Sequence, residues 1–208
     1  MKNLHEGFQL LPGDILFQDS GNYLLNQAIK TVTIGNSGAR MDHCAVCLSN
    51  NQVVEALPEG VVKTGMVAFL NRSLNHEHLP KVMVGRLARE HAHLIPKMLE
   101  FAANAVGQPY NGTFDMGSDG FYCSELVYKA TKYANCGHDL FELVQMTFKN
   151  PETGETDPGW VTYFQNLGVA IPEGKPGINP ASISLSERLV VVHTFSNPLS
   201  WTGINKNK

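Results

Sequence analysis

The chain has 208 residues, 43 % of them apolar and 17 % charged, with a net charge of −3. Such a chain is long enough to bury a core as one domain without disulfides or a structural metal, and its composition is that of a soluble globular protein. No basic stripe or polybasic tail is present, which argues against a nucleic-acid partner, and no stretch approaches the roughly 20 apolar residues of a transmembrane helix.

The first residues, Met1-Lys2-Asn3-Leu4-His5-Glu6-Gly7, lack the apolar core of a signal peptide. The expected location is therefore cytoplasmic if Met1 is the native start, and exported if a leader has been removed. Residues 14–17 read as a short entry strand, and residues 23–33 as a helix with Leu24, Leu25, Ala28, Ile29 and Val32 at helical spacing. Gly35-Asn36-Ser37-Gly38 is a flexible loop that delivers the chain to a second strand over residues 43–48. The turn residues Ser49-Asn50-Asn51 then lead into a returning strand over 52–56, which is a β-hairpin signal.

Residues 60–64 add a further strand, 67–70 a short helix, and the alternating stretch 81–87 a sheet strand. Residues 94–106 have the period of a helix, with Pro96 tolerated in its first turn and Gly107 as its stop. A cysteine-led helix follows from Cys123. Between residues 140 and 182 the periodicity breaks around five prolines, and such a segment is expected to be an irregular lid or substrate loop. Its Trp160, Tyr163 and Phe164 suit either a pocket wall or an anchor to the core. Residues 188–194 close the sheet, and the tail after Pro198 is expected to fray.

The chemistry concentrates at Gly120-Phe121-Tyr122-Cys123-Ser124-Glu125-Leu126-Val127. Leu126, Val127, Ala130, Tyr133 and Ala134 recur at helical spacing behind Cys123, while Gly117-Ser118-Asp119-Gly120 ahead of it is loop chemistry. Cys123 therefore falls in the first turn of a helix, where unpaired N–H groups and the positive dipole end favour a thiolate. A thiol nucleophile needs a base and a group that orients it. His43 opens the first hairpin strand and Glu55 lies in the second. With the turn centred near Ser49 or Asn50, the two face each other on one side of the hairpin, about 4.5–5.5 Å apart at Cβ. A one-residue slip would separate them.

Other candidates are weaker. Cys44-Ala45-Val46-Cys47 spells C-x-x-C, but a strand puts residues three apart on opposite faces, and no second pair completes a zinc site. Cys136 is left over, and the four cysteines do not form a disulfide framework in a chain of this size. His76-Glu77-His78 and His91-Ala92-His93 sit in polar surroundings and read as surface histidines, so neither a metal nor another cofactor is expected.

Several blocks occur in a recognisable order: Pro12-Gly13-Asp14-Ile15-Leu16-Phe17, Asp42-His43, Val53-Val54-Glu55-Ala56 with Gly60-Val61-Val62, Gly107-Gln108-Pro109-Tyr110, and Tyr122-Cys123-Ser124-Glu125-Leu126-Val127. With weaker matches at Asn179-Pro180-Ala181-Ser182 and 188–194, the chain resembles the circularly permuted papain-like amidases of the NlpC superfamily, in particular the YiiX/YaeF-like branch. In that branch the histidine strand precedes the cysteine helix.

The resemblance implies an α+β fold, a mostly antiparallel and barrel-like sheet packed against the nucleophile helix. It implies Cys123 as nucleophile, His43 as general base and Glu55 as the orienting acid. Tyr110 and the Cys123 backbone N–H would form the oxyanion hole. Apart from the resemblance, Tyr122 and Trp160 are candidate substrate-binding residues. Relatives often carry Tyr-Asp where this chain has Tyr110-Asn111, its acid coming only at Asp115. The implied activity is thiol-dependent hydrolysis of an amide in a small-molecule, peptide or cell-wall-derived substrate. A lipid-directed thiol acyltransferase or esterase, or a non-catalytic binding protein on the same fold, are the alternatives.

Overall fold

The structure, a computed structural model, describes residues 7–21 and 24–201. The N-terminal reading at Met1–Glu6 and the start of the first helix at Tyr23 lie outside the described residues. In chain order the elements begin with strand β1 (Ile15–Gln18), helix α1 (Leu24–Val32), strands β2 (His43–Ser49), β3 (Gln52–Leu57) and β4 (Gly60–Gly65), and helix α2 (Met66–Asn71). Strand β5 (Val82–Leu87) and helices α3 (Ile95–Asn104) and α4 (Cys123–Ala134) follow. The last third holds β6 (Val144–Gln145), α5 (Pro158–Leu167), β7 (Pro176–Gly177), α6 (Pro180–Ser184) and β8 (Leu189–Thr194).

Six strands form one antiparallel sheet in the order β4-β3-β2-β1-β5-β8, and β6 pairs with β7 separately. The large sheet is open rather than barrel-like, with β4 and β8 as its edges. Both faces of its centre are covered, which is why β1 and β2 read as nearly unbroken apolar runs. On one face Ile15, Phe17, Cys44, Val46, Val54 and Met83 pack against Met98 of α3 and Leu126, Val127 and Ala130 of α4. On the other, Leu16, Ala45, Cys47, Val53, Val82 and Val84 pack against Met66, Phe69 and Leu70 of α2. Each Val, Leu, Ile, Phe or Met among them contributes on the order of 1.5–3 kcal/mol when fully buried. The alternation also sends Cys44 and Cys47 to opposite faces, and all four cysteines are free.

The proline-rich segment is more ordered than its composition predicts. Pro158 occupies the first turn of α5, where its missing N–H costs nothing, Asp157 caps that turn by accepting from Gly159 N at 2.8 Å, and Gly168 ends the helix at φ 69°. Trp160 and Phe164 of α5 are buried in a perpendicular ring cluster with Phe114 and Phe148, so the helix rests on the core. The tail is likewise anchored, because Trp201 is buried and donates its indole N–H to Ser196 Oγ at 2.9 Å.

Candidate active site

The N-terminus of α4 is built by its own sequence. Glu125, in the first turn, is fully buried and accepts from the Tyr122 N–H at 3.3 Å and from Asn111 Nδ2 at 2.9 Å. Asn111 also donates to Asp115 O and accepts from Thr113 N, so it clamps the preceding loop. Asp115, the displaced acid of that loop, is turned outward to Lys175 at 2.7 Å and lies apart from the site. Gly120 completes the approach. Its φ is +85°, and a Cβ there would sit 2.2 Å from Pro109 O, so only glycine lets Phe121 N bond to Pro109 O at 3.0 Å. That bond lays Tyr110 beside Phe121, just ahead of the nucleophile candidate.

Cys123 is the first residue of α4, buried, with Sγ 4.0 Å from Asp42 O at the entrance to β2. His43 opens β2 opposite Gln18 of β1. Its Nε2 lies 2.6 Å from Glu55 Oε2, which leaves Nδ1 for the thiol. The two ring partners are not directly opposed as the simple hairpin predicts. The turn pairs Ser49 with Gln52, but the ladder then shifts to Cys47↔Val53 and Val46↔Val54, with Leu48 as an extra residue in β2. Continued, this register sets Glu55 across from Ala45, one diagonal step from His43 and on its face. Without the bulge, Glu55 would pair with Val46 and face α4 instead.

Reasoning from sequence missed Arg72, which follows α2 and holds Glu55 with both guanidinium nitrogens, Nη1 to Oε2 at 2.7 Å and Nη2 to Oε1 at 2.5 Å. The only legible signal was the demand itself, since a carboxylate buried on a strand requires a cation. Cys44, set aside with the C-x-x-C pair, is a thiol neighbour of Cys123.

The electrostatics follow from these contacts. The Cys44 thiol and the His43 ring, against the opposing effect of burial, hold the Cys123 thiol well below its ordinary value. Burial would lower the imidazole, but hydrogen bonds to Cys123 and Glu55 carry it up to about 10. Burial would raise Glu55, but Arg72 and His43 keep it far below the usual carboxylate range. Both directions favour a thiolate beside an imidazolium.

A cavity of about 580 Å3, counted with its mouth, opens at Cys123. Tyr110, Tyr122 and Trp160 all line it, together with Ile29 and Val32 of α1, Phe148 and Ile178. Burial and the nearby Cys123 charge push the Tyr110 hydroxyl well above its ordinary value, so it is a donor. The Tyr122 hydroxyl is committed elsewhere, accepting from Ile178 N and donating to Met116 Sδ, both at 3.1 Å. His76, His78 and His93 are exposed, and among the described residues no three His, Cys, Asp or Glu side chains group as metal ligands.

The family model described as permuted papain-like amidase enzyme, YaeF/YiiX, C92 family, matches residues 9–193. The chain belongs to that family. It is therefore a cysteine amidase or peptidase with the permuted papain-like fold. Among solved structures, the family member is similar to a protein from Escherichia coli O157:H7 titled metalloprotein yiiX, with a TM-score of 0.68 at 22 % identity. The match covers 90 % of this chain and 98 % of that one. The comparison with curated proteins returned no match.

Proposed function

We propose that the protein hydrolyses an amide bond through a Cys123-His43-Glu55 triad and an acyl-enzyme. The observation that carries this reading is the contact chain from the α4 N-terminus through His43 to the Arg72-clamped Glu55, 2.6 Å from the ring. The Cys123 thiolate attacks the carbonyl carbon. Negative charge collects on the carbonyl oxygen, where the Tyr110 hydroxyl and the Cys123 N–H receive it. The His43 imidazolium then gives its Nδ1 proton to the leaving amine. Water, deprotonated by the same nitrogen, releases the acid and restores the thiolate. Glu55 keeps Nε2–H bonded and the ring aligned throughout.

The test is the rate of Cys123 alkylation by iodoacetamide against pH, read by peptide mass spectrometry in wild type and His43→Ala. Fast labelling well below the ordinary thiol value of 9.0, lost in the variant, is the expected result. Labelling that rises only near that value in both proteins would sink the hydrolase reading.

A further inference from the structure

Three consecutive residues at the entrance to β2 surround the Cys123 sulfur. Asp42 O lies 4.0 Å from Sγ, His43 presents its ring, and Cys44 hydrogen-bonds Sγ through both its thiol and its backbone N–H. The hydrolytic scheme uses the His43 ring and leaves the Cys44 thiol without a task.

The places of the four free cysteines set this thiol apart. Cys44 is fully buried on the face of β2 that meets α4. Cys47 points to the other face of the sheet, and Cys136 is exposed beyond the C-terminal end of α4. Burial shields Cys44 from reagents in solution, so the reactive sulfur within its reach is that of Cys123. A disulfide forms only between side chains that point at each other, and these two already do.

We infer that Cys44 and Cys123 form a reversible redox pair, in which a hydroperoxide converts the active thiol into a Cys44–Cys123 disulfide and a dithiol restores it. The inference rests on the reactive Cys123 of the hydrolase reading above.

The thiolate is the form that a peroxide oxidises, and Cys123 faces a cavity that opens to solvent. Its sulfur attacks the peroxide: an S–O bond forms, the O–O bond breaks, and two electrons pass to the departing oxygen. That oxygen takes the His43 proton and leaves as water or an alcohol. The Cys123 sulfenic acid left alone would gain a second oxygen and become a sulfinic acid, which thiols do not reverse. Cys44 offers the other course. Its sulfur attacks the sulfenic sulfur, the S–S bond forms as the S–O bond breaks, and the hydroxyl carries off the Cys44 proton as water. A dithiol then gives up its two hydrogens, returns both thiols and becomes a disulfide itself.

The test treats the full chain with hydrogen peroxide and maps its cysteines by non-reducing peptide mass spectrometry. The expected wild-type product joins the Cys44 and Cys123 peptides, two hydrogens lighter than their sum. Labelling of Cys123 by iodoacetamide is lost with it, and dithiothreitol returns that labelling to the untreated level. In Cys44→Ser the same treatment ends at Cys123 sulfinic acid, and dithiothreitol does not restore the labelling. The wild-type map reads the bridge directly, so the outcome does not depend on the variant folding.

A wild-type Cys123 that labels fast with iodoacetamide but ends without the joined peptide, as sulfinic acid or unoxidised, overturns this inference and leaves the hydrolase reading standing. So does a bridge from Cys123 to Cys47, to Cys136 or to a second chain. A Cys123 slow toward iodoacetamide and peroxide alike removes the hydrolase reading, and this inference with it.

Discussion

Glu55 reaches His43 along a diagonal of the β2–β3 hairpin, and the bulge at Leu48 is what puts the two side chains on one face, 2.6 Å apart. The same carboxylate is gripped from the other side by Arg72. Glu55 is therefore shared between an imidazole that must be oriented and a guanidinium that holds it ionised. Replacing it by Gln keeps the shape but halves the Arg72 fork. We expect kcat to fall by about 10²–10⁴-fold, the scale of losing an orienting acid rather than a nucleophile. The unfolding free energy from urea titration should also drop, by about 1.5–3 kcal/mol at unchanged m-value, because a charged hydrogen bond is lost beneath α2.

Arg72→Met separates orientation from charge. Glu55 then loses the neighbour that contributes most to keeping its carboxyl low, so it protonates nearer its ordinary value of 4.5. The acid limb of kcat against pH should move upward relative to wild type. An unchanged limb with reduced kcat would mean that Arg72 only packs.

Cys123→Ala removes the sulfur that the proposed mechanism uses as nucleophile. Turnover should fall on the order of 10⁶-fold, while the circular dichroism spectrum stays that of wild type, since one sulfur at the helix start is not part of the cap held by Glu125.

Tyr110→Phe should lower kcat by about 10²–10³-fold with little change in KM, as for a donor used only when charge develops. Its iodoacetamide labelling rate should match wild type, because alkylation builds no oxyanion.

The titrations have opposite signs and separate cleanly. With Glu55 depressed on folding, its contribution to stability is complete above its ordinary 4.5 and is lost as pH falls below it. The stability difference between wild type and Glu55→Gln should therefore shrink on acidification. His43 is raised and Cys123 lowered, so between 6.5 and 9.0 the folded ion pair and the unfolded neutral pair bind the same single proton. That couple should add no slope to stability over this range. Amide turnover should fall as pH rises through about 10, where His43 loses the proton the leaving amine needs, whereas Cys123 alkylation should not fall.

The sequence alone determined the features whose causes lie within a few residues of each other. Capping chemistry set Cys123 at a helix start, turn residues marked the hairpin, and alternation or long apolar runs marked the strands. The order of the blocks pointed to the permuted papain-like family. Tertiary structure decided what depends on which faces are buried together. The Leu48 bulge, and with it the face on which Glu55 lies, depends on both sheet faces being packed, because a half-buried hairpin of the same residues could pair one step over. Arg72 lies 17 residues beyond its carboxylate and Cys44 lies 79 before its thiol neighbour, separations at which no local pattern operates. Helix α5 was hidden because its one buried stripe, Trp160 and Phe164, is short and lies among the prolines and glycines of residues 140–182. The apolar cavity exists only where α1, α5 and the chain around Phe148 converge on Cys123, and no stretch of sequence encodes that meeting by itself.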